Sequence, residues 1–137
     1  MMMIFFVSLS YLVLFSLMLV GLNNNKLSGP IPSEIGNLTN LELLWMNDNS
    51  LDGRIPDIFG NVTQLKDLHL QNNNFDGSIP GSLWNLPSIE FLYLDVNDVT
   101  GVVPDSFCDH RYMKSGENIL IDDSSWFASK GGMQLLR

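Results

Sequence analysis

Basic residues are scarce in this chain. Seven Lys and Arg stand against fifteen Asp and Glu, a formal charge of -8 in 137 residues. That shortage argues against a nucleic-acid binder, whose affinity rests on Lys and Arg meeting phosphates. It argues equally against a polybasic membrane-surface module. Cysteine is nearly absent. Cys108 stands alone, so neither an internal disulfide framework nor a cysteine-based zinc cluster is available. The two histidines, His69 and His110, have no ligand spacing between them. There is no phosphate loop, no GxSxG elbow and no kinase signature. Cys108 and His110 are too local to form a catalytic dyad. The sequence thus predicts no enzyme, no metal site and no cofactor. Charge is missing altogether from residues 1–20.

What the chain has is a repeat, and the repeat decides the architecture. Residues 41–64 read LELLWMNDNSLDGRIPDIFGNVTQ and residues 65–88 read LKDLHLQNNNFDGSIPGSLWNLPS. The two superimpose without a gap. Residues 89–108, IEFLYLDVNDVTGVVPDSFC, keep the register, and so does LMLVGLNNNKLSGPIPSEIGNLTN upstream at 17–40. The shared pattern is LxxLxLxxNxLxGxIPxxhGNL, with h apolar. Its period-2 section predicts short strands near 43–47, 67–71 and 91–95. Leu41, Leu44 and Met46 point inward there, as do Leu65, Leu68, Leu70 and Ile89, Leu92, Leu94. Leu27, Leu51, Phe75 and Val99 fill the core behind them.

Asn25, Asn49, Asn73 and Asn97 recur at one position. An amide carries two donors and an acceptor, so a stacked Asn column can satisfy turn backbone that would otherwise be buried unpaired. Gly29, Gly53, Gly77 and Gly101 suit a place where a side chain would not fit. Pro32, Pro56, Pro80 and Pro104 stiffen the bend. One coil alone buries too little to offset the ordering of its 24 residues, so neighbours must stack.

These residues resemble the plant-type leucine-rich-repeat family, over about residues 17–108. The resemblance implies an α/β-type solenoid: a right-handed stack of about four coils with a parallel sheet on its concave face. It further implies a non-catalytic binding module related to receptor ectodomains, with a protein, peptide or glycan partner on that face. The alternative is a structural or non-functional fragment of a longer receptor gene.

Outward side chains on the concave strands line up in columns about 4.8 Å apart. The central column is Gly21, Trp45, His69, Tyr93. Beside it run Leu19, Leu43, Asp67, Phe91, then Asn23, Asn47, Gln71, Asp95, then Asn24, Asp48, Asn72, Val96. Trp, Tyr and Phe among polar groups match the composition of interface hot spots. Trp45, His69, Tyr93, Asp67 and Phe91 are therefore the candidate partner-binding residues. Aromatic residues also suit strands for their own sake. Asn37-Leu38-Thr39 and Asn61-Val62-Thr63 are N-glycosylation acceptor patterns at one repeat position, which places Asn37 and Asn61 on one side of the solenoid.

The ends are less regular. Residues 1–20 are long enough to cross a bilayer as a helix. They have no basic n-region and no clear cleavage site. A signal-anchor or uncleaved signal at 1–16, with the repeats extracellular or lumenal, is one expectation. The other is that Leu17, Val20 and Leu22 already belong to the first coil. The cysteine-bearing N-terminal cap usual in the plant-type family is missing, which suggests a truncated chain. Residues 109–137 read as a partial C-terminal cap. PDSFC, an acidic stretch and Trp126-Phe127 resemble caps of diatom and algal leucine-rich-repeat proteins. Ile119, Leu120 and Ile121 are candidates for a last strand, and residues 128–137 carry no assignment.

Overall fold

The computed structural model describes residues 17–104 and two later strands, 126–129 and 132–135. Strands β1 (Leu19–Gly21), β3 (Leu43–Trp45), β5 (Asp67–His69) and β7 (Phe91–Tyr93) form one parallel sheet in the order β1-β3-β5-β7. The register advances by one repeat at each step: Leu44 pairs with Val20 on one side and Leu68 on the other, and Leu68 pairs with Leu92. Strands β3, β5 and β7 begin where the period-2 pattern places them and end two residues sooner.

The inward residues behave as their spacing demands. Leu41, Leu44, Leu65, Leu68 and Leu92 are wholly buried, and Met46, Ile89 and Leu94 nearly so. Leu51, Phe75 and Val99 join them from behind. Leu17, Val20 and Leu22 pack on the edge of this core. The apolar run of residues 1–20 is therefore divided: its last residues are solenoid, and any membrane role rests on residues 1–16, which lie outside the described residues.

The Asn column is a clasp between coils. Asn73 donates from Nδ2 to the carbonyls of Leu70 and Gln71 in its own coil and of Met46 in the coil before. Its Oδ1 accepts the Leu51 N–H at 3.0 Å. Asn49 and Asn97 repeat the arrangement, accepting from Leu27 and Phe75. Asn25, in the first described coil, donates to Leu22 and Asn23 of that coil.

A second sheet was not anticipated. Strands β2 (Ser28–Gly29), β4 (Ser50–Arg54), β6 (Asn74–Ser78) and β8 (Asp98–Thr100) pair in parallel along the flank of the stack. The rest of each coil turns through helical segments of one turn or so, Ser33–Asn37, Phe59–Asn61 and Gly81–Trp84. Pro32 and Pro80 sit just before two of these, at φ -64° and -68°, where the ring presets the backbone.

The repeated glycines are selected first by their backbone. Gly29, Gly53 and Gly77 have φ between +69° and +89°, a left-handed conformation that favours glycine. The expected crowding is met at Gly77, where an added Cβ would lie 3.1 Å from the Arg54 side chain, and not at Gly29, where nothing stands within 4 Å.

Beyond β8 the chain turns antiparallel. Strand β9 (Val102–Val103) pairs with β11 (Gly132–Leu135), which pairs with β10 (Trp126–Ser129). The tail thus supplies a hairpin that runs from the cap candidates Trp126 and Phe127 into the unassigned residues 128–137. Cys108, His110 and residues 119–121 lie outside the described residues.

Candidate functional site

The concave face presents the outward residues in the phase that alternation sets. In β3, β5 and β7 the middle residue is buried and its two neighbours are half-buried. Trp45, His69 and Tyr93 occupy one register line across the three strands, and Leu43, Asp67 and Phe91 the next. All five candidate residues come together.

Their rings interact along the column. His69 lies 6.0 Å from Trp45 and 4.3 Å from Tyr93, centroid to centroid, with planes tilted by 54° and 56°. Both are tilted arrangements of the kind aromatic pairs favour. Asp67 anchors the group. Trp45 Nε1 donates to Asp67 Oδ2 at 2.9 Å, which fixes the indole. His69 Nε2 lies 2.8 Å from Asp67 Oδ1. That approach is off-line, so Oδ1 keeps no well-aligned hydrogen bond. On the other side, Gln71 Nε2 is 3.4 Å from His69 Nδ1, and Gln71 Oε1 is buried without a partner. The sequence pattern brought these residues to one face but could not show the net, because Trp45 and Asp67 meet diagonally, 22 positions apart.

Next to this patch, Lys66 Nζ lies 2.6 Å from Glu42 Oε2. The hydrogen bond from Lys66 to Glu42, then the Glu42 charge itself, raise the lysine above its usual value. Further along, Asn24, Asp48, Asn72 and Val96 all have φ between +52° and +56°. Asn and Asp tolerate that conformation, and a β-branched valine does not. Val96 is also exposed. Asn37 and Asn61 are exposed at the ends of their helical segments. Among the described residues no cluster of three or more His, Cys, Asp or Glu is placed to hold a metal. Among the same residues no helix is long and apolar enough to cross a membrane.

Leucine rich repeat family models match residues 39–99 and residues 16–38. The chain is a plant-type leucine-rich-repeat protein. Solved relatives share its coil stack. The leucine-rich-repeat ectodomain of the receptor kinase SOBIR1 from Arabidopsis thaliana is 30% identical, with a TM-score of 0.64 over 75% of this chain and 58% of that one. A plant ice-binding protein is 35% identical, with a TM-score of 0.65 over 72% of this chain and 33% of that one. The Arabidopsis receptor kinase HAESA, solved with the peptide hormone IDA and the co-receptor SERK1, is 40% identical, with a TM-score of 0.60 over 64% of this chain and 15% of that one. This leucine-rich-repeat chain thus spans less than two thirds of each of these solved chains. No curated protein matches it.

Proposed function

We propose that the solenoid is a non-catalytic binding module that takes a protein, peptide or glycan partner on its concave face, on the extracellular or lumenal side of a membrane. The observation that carries this reading is the Trp45–His69–Tyr93 column: three large rings in line across the strands, two of them in contact with Asp67. Rigid aromatic residues in a polar frame make strong contacts because little freedom remains to be lost on binding. A solved relative bound to a peptide hormone and a co-receptor supports the same use of the fold. The location rests on the ectodomain resemblance, the exposed Asn37 and Asn61 acceptor patterns and the apolar residues 1–16.

Tyr93→Ala should weaken partner binding by about 1–4 kcal/mol, as truncation of a hot spot does, and Trp45→Ala similarly. Calorimetry with a partner recovered by crosslinking at the cell surface measures this. Tyr93→Ala should leave the melting temperature nearly unchanged. Trp45→Ala should lower it slightly, since Asp67 Oδ2 loses its indole donor. Undiminished affinity in both variants would overturn the concave-face assignment.

A further inference from the structure

On the reading that the concave face binds a partner, we propose that the partner presents an extended peptide segment bearing arginine or lysine, with the cationic side chain seated over the Trp45–His69–Tyr93 column. The fixed carboxylates of the face point there. Trp45 Nε1 donates to Asp67 Oδ2 and Asn72 Nδ2 to Asp48 Oδ1, so both negative charges are held in place.

The balance of charge around them agrees. Glu42, Asp48, Asp67, Glu90 and Asp95 lie on or beside the concave strands, against one lysine, Lys66. Lys66 is engaged by Glu42 and also feels Glu90. Carboxylates focused along a concave surface draw in cations and repel anions. The aromatic column supplies the third element. A guanidinium or ammonium within ~6 Å of a ring face is attracted to its negative face. Here the Asp67 carboxylate, in contact with two of the three ring residues, adds its own charge to that attraction. A neutral sugar gains only stacking from this arrangement, and an acidic peptide meets repulsion.

The test uses the full chain and three fluorescent peptides of equal length, alternating serine with arginine, with its neutral isostere citrulline, or with glutamate. Fluorescence anisotropy should show the arginine peptide binding at least about tenfold tighter than the citrulline peptide, and the glutamate peptide not at all. Asp67→Asn, which preserves an acceptor for the Trp45 indole, should weaken the arginine peptide about tenfold and leave the citrulline peptide unchanged. Should that variant melt early, Glu90→Gln, at an exposed carboxylate, should still lower arginine-peptide affinity about twofold. Equal binding of the three peptides, all weakened by Tyr93→Ala, would sink the cationic class while leaving the concave face as the site. Binding that neither Tyr93→Ala nor Asp67→Asn alters, or no binding by any peptide, would overturn the proposal together with its site.

Discussion

Two columns of side chains cross the concave sheet one residue apart: Leu44, Leu68, Leu92 and Trp45, His69, Tyr93. The first is one residue type repeated at full burial. The second changes at every coil and stays half-exposed. The difference lies in what each column faces. An inward side chain meets the same neighbours at every level of the stack, so the same shape fits each time. An outward side chain meets solvent or a partner, and the fold sets no requirement on its identity. Architecture therefore resides in the columns that repeat, and any recognition resides in those that vary.

The largest expected effect comes from the repeating side. Leu68→Ala should destabilise the protein by about 2–5 kcal/mol through an unfilled cavity at the centre of the stack, seen as a lower denaturation midpoint in urea. A cost no greater than that of Tyr93→Ala would erase the distinction between the columns. Asn73→Ala comes next, at roughly 2–4 kcal/mol, because the Leu51 N–H and several carbonyls lose their partner in a buried place. Loss of protection at the Leu51 amide in hydrogen exchange would locate that effect.

Smaller and opposite in sign is Val96→Asn. Relief of the left-handed backbone at an exposed position should stabilise by about 1 kcal/mol, read as a higher melting temperature. The smallest effect belongs to Lys66. Its raised pKa means that the interaction with Glu42 supports folding at pH values below the ordinary lysine value of 10.5 and loses that role as the pH climbs through the higher folded value. The ammonium is solvated, so Lys66→Gln should leave the melting temperature at neutral pH and physiological salt unchanged within error.

The same contrast explains what was legible in the sequence. Alternation revealed the inward leucines, the strand phase and the aromatic column, because burial imposes a period that survives in one chain. Asn49, Asn73 and Asn97 were legible through their spacing. The flanking sheet was not. Ser50–Arg54 and Asn74–Ser78 contain Asp and Gly, which disfavour strands. They are extended because the next coil offers backbone partners at the right height, a tertiary cause with no local mark. The left-handed column left a faint signal in Asn24, Asp48 and Asn72, which Val96 interrupts. The Asp67 net was invisible because it depends on rotamers across two coils. The hairpin at 126–135 has no alternation to betray it.

The Asn clasps also govern how the molecule comes together. Their bonds to the preceding coil span 22 or 27 residues wherever they occur along the described stack. Loop closure thus costs the same at every level, and lengthening the stack adds no longer-range step. Ordering that begins in any adjacent pair of coils can spread to either side by the same small increment, as in a one-dimensional chain with nearest-neighbour coupling. In such a chain the position of a defect matters as much as its size. A broken clasp at Asn97 shortens the ordered stretch from one end, whereas a broken clasp at Asn73 divides it into halves that must each find order alone.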